Sequence, residues 1–159
     1  GRSPLTSSCG RVLDAVSSLL GICYERSYEG EPAMKLESAA LTGSDKLNLK
    51  PDITNGNIIQ TDNMVMAVYE NLRKVSVSDL AFSAQAYIAR SLAELAIGEA
   101  DRLGVKHIGF TGGVAYNNHI SSTIRDTVAS RGYKFYVHNM IPPGDGGLSF
   151  GQSIAAGFS

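Results

Sequence analysis

The last third of the sequence alternates two kinds of apolar pattern, and this alternation restricts the fold more than any other feature. Residues 107–111 form a short run that predicts a buried strand. Residues 120–128 place apolar side chains at helical spacing, and residues 133–137 alternate as a half-buried strand does. A terminal helix is predicted over 148–155. Two strands joined through a helix lie parallel in one sheet, so the sequence predicts a parallel α/β unit.

Helical patterns fill much of the first two thirds of the sequence. Each has an apolar stripe with a period of about 3.6 residues, and most end near a glycine that can terminate a helix. The predicted helices are 9–23, 32–40, 61–72 and one that Ser78 caps and Gly104 ends, with Gly21 and Gly43 closing the first two. Residues 43–57 predict a loop or a short irregular strand. We therefore expect one α/β domain over residues 1–159, with extra helices.

Charge and composition argue against two classes of function. The 159 residues carry 14 Lys and Arg against 15 Asp and Glu, a net charge of -1, and no basic run that would attract nucleic acid. No apolar stretch approaches the roughly 20 residues that cross a bilayer. Gly1-Arg2-Ser3 resembles a cloning remnant. Cys9 and Cys23 fit one helical face about 21 Å apart, so we expect two buried free thiols in a reducing compartment.

A pair of glycines is the first candidate for a binding site. Gly112 and Gly113 lie between a predicted strand and a predicted helix, where a ligand can touch backbone without interference from a Cβ atom. The N-terminus of the following helix would offer free N–H groups and a positive dipole to a phosphate. Asn117 could donate to or accept from a ribose or a base edge. The alternative is a tight strand–helix connection that Asn117 caps. No Gly-Lys-Ser/Thr follows, so this is not a Walker loop.

A second candidate is the turn from Pro142 to Gly147. It surrounds one carboxylate with three glycines at the predicted start of a helix. Asp145 could bind a divalent cation that bridges phosphates. The alternative is an N-cap, because Asp is a favoured residue at that position.

Two weaker candidates lie near the start of the sequence. Asp14 points away from the apolar stripe of the first predicted helix. It is either a solvated acid or a carboxylate that faces a cleft and holds a ribose diol. Glu29 either caps the next helix or contacts a nucleoside, and Gly30 gives an adenine ring room to approach.

These segments together resemble one family, the HypF carbamoyltransferases of hydrogenase maturation. The matching segments agree in order and spacing, and they are TSSCGRVLDAV at 6–16, YEGEPAM at 28–34, TGGVAYN at 111–117 and PPGDGGLSFGQ at 142–152. The resemblance runs from Leu5 to Gly157, and the Pro-Pro-Gly-Asp-Gly-Gly ending is its most specific part. The Gly-Gly segment is shared more widely, with TsaD tRNA-modifying proteins and antibiotic O-carbamoyltransferases.

The resemblance implies a ribonuclease-H-like lobe of the actin, sugar-kinase and Hsp70 ATPase type. It also implies a cytoplasmic enzyme that joins carbamate to ATP as carbamoyl-adenylate. The carbamoyl group then passes to the C-terminal cysteine of a partner, HypE, during NiFe-hydrogenase maturation. By the same resemblance, the residues that would hold adenosine are Asp14, Glu29 or Gly30, Gly112, Gly113 and Asn117. Asp145 would be one ligand of a divalent metal ion, Mg or Fe.

Several parts of the family pattern do not occur in this sequence. They are the acylphosphatase-like domain, the zinc-finger-like cysteine motifs, the YrdC-like domain and the first lobe, whose His-x-x-x-His motif supplies further metal ligands. We therefore interpret the chain as one excised lobe, inactive alone, with a naturally split protein as the alternative. An exposed apolar face is expected where those partners dock. Other readings are a TsaD-like lobe, a small-molecule O-carbamoyltransferase and a non-catalytic nucleotide-binding module.

Overall fold

The computed structural model describes residues 6–158, so Gly1-Arg2-Ser3 lies outside the described residues. The chain divides into two compact units, Gly1–Ile88 and Ala89–Ser159. The described helices are α1 Cys9–Leu19, α2 Glu31–Ala40, α3 Thr61–Asn71, α4 Val77–Leu103, α5 Asn118–Ser130 and α6 Leu148–Gly157. The described strands are β1 Ile53–Thr54, β2 Ile58–Ile59, β3 His107–Phe110 and β4 Lys134–Val137. Within residues 6–158, none of the helices combines the length and apolar character of a membrane span.

The first unit has a helical core in which α1 packs against α2 and α3. The buried side chains recur about one turn apart on each helix, as the apolar stripes predicted. They are Leu13 and Val16 of α1, Leu36 and Ala40 of α2, Met64 and Val68 of α3, and Leu80, Ala81 and Ala84 of α4. The helices predicted from periodicity are therefore confirmed in kind, and their boundaries differ by a few residues.

The first helix is shorter than its apolar stripe suggested. α1 ends at Leu19, and Gly21 adopts a positive φ just beyond it. Cys23 therefore lies after the helix, and the prediction that both cysteines occupy one helical face is wrong. Both thiols are free, as expected, and Cys23 is buried, but Cys9 is only half-buried, so the prediction of two buried thiols is wrong for Cys9.

The cap of α4 also differs from the prediction. The helix begins at Val77, and the Ser76 hydroxyl accepts a hydrogen bond from the Asp79 N–H at 3.1 Å. Ser76 therefore caps α4, and the prediction of Ser78 as the cap is wrong by two residues. The helix continues through Gly98 and is followed by Gly104 at a φ of 67°, as predicted.

Gly43 has a role that the sequence did not indicate. A Cβ atom at this position would lie 2.1 Å from the Ser78 carbonyl oxygen. The next residue is fixed at the same place, because the Ser44 N–H and hydroxyl both donate to Asp79 Oδ1, at 2.8 and 3.0 Å. Gly43 therefore permits close contact between a loop and the start of α4.

Residues 53–59 form a small antiparallel hairpin in the segment predicted as a loop or short irregular strand. Ile53 pairs with Ile59, and Thr54 pairs with Ile58. The turn holds Asn55 and Gly56 at φ values of 51° and 76°, the conformation that an Asn-Gly pair favours in hairpins. Each strand has only two paired residues.

The second unit contains the predicted strand–helix–strand–helix order. β3 and β4 are parallel, with Ile108 opposite Phe135 and Phe110 opposite Val137. α5 packs against β4 and ends at Ser130. Gly132 follows it with a φ of 80°, which allows the Tyr133 N–H to reach the Val128 carbonyl at 3.2 Å. The parallel α/β unit is confirmed.

Burial of the two strands is lower than predicted. In β3 only Ile108 is buried, and Thr111 lies outside the strand. In β4 the expected alternation fades along the strand, because Tyr133 just before it is buried whereas Val137 is 43% exposed. The prediction of a buried strand over residues 107–111 is therefore correct for Ile108 and wrong for the burial of most of the others. The terminal helix, α6, is present as predicted but has no buried residue.

Candidate functional site

The Gly-Gly segment turns sharply after β3. Gly112 has a φ of 97°, which favours glycine, and its N–H donates to the Pro143 carbonyl oxygen at 2.8 Å. Residues 113–116 form a single turn of 3₁₀ helix before α5 begins at Asn118. The glycines therefore lie between a strand and a helix as predicted, with a 3₁₀ turn between them and α5. No described atom lies within 4 Å of a Cβ placed on Gly112 or Gly113, so this backbone is open to a ligand.

Asn117 is the residue that caps α5. Its Oδ1 atom accepts a hydrogen bond from the Ile120 N–H at 2.8 Å, and the residue is only 6% exposed. The capping role, one of the two alternatives considered, is confirmed. Contact of Asn117 with a ribose or a base stays a prediction.

The Pro142–Gly147 turn lies directly against the Gly-Gly segment. The Pro143 carbonyl oxygen accepts from the Gly112 N–H and also from the Thr111 hydroxyl at 3.1 Å. Gly144 faces the Tyr116 ring, which a Cβ would approach to 2.9 Å. Two segments that are separated in sequence are therefore joined by two hydrogen bonds. This pair, residues 111–116 and 142–147, is called the crossed loops below.

Asp145 projects from the crossed loops with an exposed side chain. It begins a short 3₁₀ turn, Asp145–Gly147, and makes no side-chain capping bond there. The residues in the N-cap positions of this turn and of α6 are Gly144 and Gly147, so the alternative of an Asp145 cap is wrong. Within residues 6–158, the Asp145 carboxylate has no hydrogen-bond or ion-pair partner. It is therefore available to a ligand.

The donors of the described residues do not by themselves make a metal site. No group of three His, Cys, Asp or Glu side chains that could hold a metal ion occurs in residues 6–158. A hard divalent cation takes about six oxygen ligands, and Asp145 supplies one carboxylate. The chain therefore does not fit a metal ion unless further ligands come from elsewhere.

A hollow of about 370 Å³ lies beside the crossed loops. Its lining includes Thr111, Pro143, Gly144, Leu148 and Gln152. It also includes His138, whose Nε2 atom lies 3.0 Å from the Thr111 hydroxyl. Sequence reasoning missed this histidine because its partner is 27 residues away, and no local spacing indicates such a pair.

In the first unit, Asp14 lies on α1 beside Arg11. The two side chains form an ion pair at 2.8 Å, and the Asp14 side chain is 18% exposed. Asp14 is therefore neither fully solvated nor buried. Arg11 already occupies one carboxylate oxygen of Asp14. The contact between Asp14 and a ribose diol stays a prediction.

The Tyr28-Glu29-Gly30 segment leads into α2. Gly30 precedes the helix with a φ of 80°, and its carbonyl accepts from the Met34 N–H at 3.0 Å. Glu29 is exposed, and the acid that ties this loop to the helix is Glu31 instead. Glu31 accepts from the Ser27 N–H at 2.5 Å and the Ser27 hydroxyl at 2.9 Å.

Glu31 is a buried acid that sequence reasoning missed. Lys35, one turn along α2, lies 2.7 Å from its other oxygen. The hydrogen bond from Lys35, with those from Ser27, lowers the pKa of Glu31 to about 2. The signal was present in the sequence, because Glu31 and Lys35 have the i, i+4 spacing of a helical ion pair.

The candidate residues therefore fall into two groups. Gly112, Gly113 and Asp145 belong to the crossed loops of the second unit, with Asn117 directly after them. Asp14, Glu29 and Gly30 belong to the first unit, on α1 and at the start of α2. Sequence reasoning proposed all of them as one site, and that combined site stays a prediction.

Known proteins match nearly the whole chain. "Probable carbamoyltransferase HypF" of Methanocaldococcus jannaschii is 43% identical over 153 residues, which is 96% of this chain and 20% of that protein. The crystal structure of T. kodakarensis HypF superposes with a TM-score of 0.86 at 41% identity, covering 95% of this chain and 20% of that one. Full-length HypF in a phosphate- and nucleotide-bound form matches in fold, with a TM-score of 0.84 and 24% identity over 94% of this chain and 20% of that one.

These matches confirm the α/β fold that the resemblance implied, and the chain spans about a fifth of the length of the relatives that it matches. A sequence profile described as the second subdomain of the carbamoyltransferase Kae1-like domain matches residues 1–152. The chain belongs to this family, the second Kae1-like subdomain of HypF carbamoyltransferases.

Proposed function

We propose that the chain is a nucleotide-binding lobe of an ATP-dependent carbamoyltransferase. The enzyme transfers the carbamoyl group of carbamoyl-adenylate to the C-terminal cysteine of a HypE-like acceptor during NiFe-hydrogenase maturation, in the cytoplasm. Family membership supports the reaction class, and the nucleotide-bound HypF structure supports the ligand class. The missing domains of the same protein would complete the enzyme.

One observation carries the proposal, the pairing of the crossed loops. The bond from the Gly112 N–H to the Pro143 carbonyl holds open glycine backbone beside an unpartnered carboxylate, Asp145. Open backbone admits phosphate oxygens closely, since there is no Cβ atom in the way. Asn117 supports this geometry by fixing the start of α5. Asp14, Glu29 and Gly30 are proposed as the nucleoside contacts of the first unit.

The transfer step needs no nucleophile from this chain. The acceptor sulfur attacks the carbamoyl carbon, a C–S bond forms, and the C–O bond to AMP breaks, with the thiol proton released to solvent. Burial raises the pKa of Cys9 to about 11, so this thiol is not poised to compete. The lobe's contribution is to bind the adenylate and hold it in place.

Asp145 remains proposed as one ligand of a divalent cation, Mg or Fe. Further ligands would have to come from outside this chain, since the described residues contain no group of three His, Cys, Asp or Glu side chains that could hold a metal ion. The Asp145→Asn variant of the complete gene product should retain its fold, because the side chain is exposed.

The test has two arms. In the first, ATP and Mg²⁺ are added to the 159-residue chain and its amide resonances are followed. Shifts clustered at Gly112, Gly113 and Asn117 support the site. In the second, carbamoylation of the acceptor by the complete gene product is measured by mass spectrometry. We expect Asp145→Asn to slow it by about 100-fold or more, whereas Glu99→Gln, which removes another exposed acid of the same unit, should not. Absence of nucleotide binding by the complete gene product would contradict the proposal.

A further inference from the structure

The second unit contains another groove, larger than the hollow beside the crossed loops. Its volume is about 760 Å³, and it runs between the start of α5, the strand β4 and residues 138–143. The side chains that line it are largely apolar or uncharged, among them Tyr116, Phe135, Val137 and Met140. No acidic residue occurs in this lining, although the chain has 15 of them. The groove therefore favours a ligand with an apolar body and a negative end.

An extended peptide suits the shape of this groove. β4 pairs with β3 along one edge, and no described strand pairs with its other edge. Phe135 and Val137 lie on the same face of β4, because side chains alternate along a strand. An unpaired strand edge beside apolar pockets is a recurring way in which proteins bind an extended peptide.

Arg125 is the only arginine or lysine in the lining. Its side chain is 60% exposed, and its one ion-pair contact is from Nε to the adjacent Asp126 at 3.4 Å. The two terminal nitrogens of the guanidinium thus have no partner among the described residues, and they can bind a carboxylate in a bidentate manner. Ser121 and Ser122 do not compete for this role, because their hydroxyls donate to backbone carbonyls.

The groove and the hollow beside the crossed loops share a wall. His138, Pro142 and Pro143 line both of them. The groove therefore adjoins the hollow beside the crossed loops across these three residues. This adjacency connects peptide binding with the reaction proposed above.

We propose that this groove binds the C-terminal end of the acceptor polypeptide, with the terminal carboxylate held by Arg125. The inference rests on the proposed function, which places the accepting cysteine at the C-terminus of the acceptor. The apolar side chains hold the residues that precede it, and the carboxylate sets the register, so that a free chain end is distinguished from an internal cysteine.

The test uses a reduced six-residue peptide that ends in cysteine, with either a free C-terminal carboxylate or a C-terminal amide. Each is titrated into the 159-residue chain, and amide shifts are followed at Ser121, Ser122, Val137 and His138. We expect the free acid to bind about tenfold more tightly than the amide, as a charge-assisted bidentate contact provides. Arg125→Gln should abolish the difference, and Arg125→Lys should keep part of it. Arg102→Gln removes an exposed positive charge elsewhere in the unit and should change nothing.

Equal binding of acid and amide, binding outside the groove, or no binding would overturn the inference. So would tighter binding of inorganic phosphate with the same shifts, since the groove would then be a site for small anions. ATP is titrated into the same samples. If the chain binds ATP but not the peptide, the proposed function stands and the groove is not the binding site of the acceptor. Binding of the peptide without nucleotide binding by the complete gene product counts against the proposed function.

Discussion

The turn at Gly147 leaves no space for a side chain. The Cβ of an alanine there would lie 2.3 Å from the Pro142 carbonyl oxygen, so the turn that carries Asp145 must open. We expect Gly147→Ala to lower the free energy of unfolding by about 1–3 kcal/mol and to shift the amide resonance of Asp145. Gly146→Ala is the matched control, because its Cβ would meet only Pro142 carbons at 3.4 Å. Urea unfolding measures both, and equal midpoints would contradict the packing argument.

Glu31 should make the free energy of unfolding depend on pH. Its pKa of about 2 lies below the ordinary value of 4.5, chiefly because Lys35 donates to the carboxylate. A group whose pKa is lowered by folding stabilises the folded state fully above its unfolded pKa, and this contribution disappears as the pH falls through the folded pKa. We expect Glu31→Gln to be less stable at neutral pH and to lose less stability between pH 4.5 and 2.

Thermal unfolding across that pH range measures the effect. Lys35→Met removes the partner and should reduce the acid-induced loss in the same direction, because the strongest hydrogen bond to Glu31 is absent. If both variants kept the full wild-type pH dependence, the Glu31–Lys35 pair would not be the source of it.

Roles of single residues were predictable where they depend on local backbone. Asn117 caps α5, one of the two roles considered for it, and Gly104 follows α4 at a positive φ as predicted. Glu31 was also a local feature, recognisable from its spacing to Lys35. His138 differs, because its hydroxyl partner Thr111 becomes a neighbour only when two distant loops meet.

The contact between Gly43 and the start of α4 is the contact between elements that is most sensitive to a small substitution. We expect Gly43→Ala to lower the free energy of unfolding by about 1–3 kcal/mol, since the new Cβ would overlap the Ser78 carbonyl oxygen. Gly98→Ala is the matched substitution. It lies exposed within the same helix with no described atom within 4 Å of its Cβ, and it should raise stability by about 0.5–1 kcal/mol. Urea unfolding of both variants measures these changes in stability. If Gly43→Ala left the free energy of unfolding unchanged, the loop would be able to move away from the Ser78 carbonyl.

The elements were predictable to the degree that their patterns are local. Helix periodicity located α1 to α5 because the core faces of those helices repeat every turn. The hairpin at 53–59 escaped prediction, although its Asn-Gly turn is a recognised signal. Burial of β3 and β4 could not be predicted from alternation alone, because it depends on what packs against each face, and the described residues leave one face of this pair exposed.

At the scale of the whole molecule, sequence motifs identified the family and the residues of a candidate site without any spatial information. The crossed loops explain why the motifs at 111–117 and 142–152 occur together, since Gly112 and Pro143 hydrogen-bond. The same motifs could not indicate that Asp14 and Glu29 belong to a different compact unit from Asp145. The order of motifs along a sequence reflects the function that a family shares, whereas the contacts that assemble a site depend on how the helices and strands pack.

The final 25 residues give the whole chain a surface that should cause association. Asp145 is the only charged residue in 135–159, and the exposed apolar side chains there include Phe150, Ile154 and Phe158, the last 88% exposed. Contiguous apolar surface of this kind favours contact with another protein surface. We therefore expect the 159-residue chain alone to self-associate reversibly at high concentration. Replacing Phe150 and Ile154 together by serine should reduce association without lowering the unfolding midpoint, because α6 has no buried residue.

Light scattering coupled to size-exclusion chromatography measures this association as a function of concentration. Tyr69→Ser is the control, because it removes an exposed aromatic side chain from the first unit and should leave association unchanged. A strictly monomeric chain would show that the apolar surface of α6 does not bind its own copies. A large fall in the unfolding midpoint of the double serine variant would show instead that α6 packs more tightly in solution than its exposure indicates. Either result would separate the role of α6 in binding from a role in stability, and only reduced association at unchanged stability supports a docking surface.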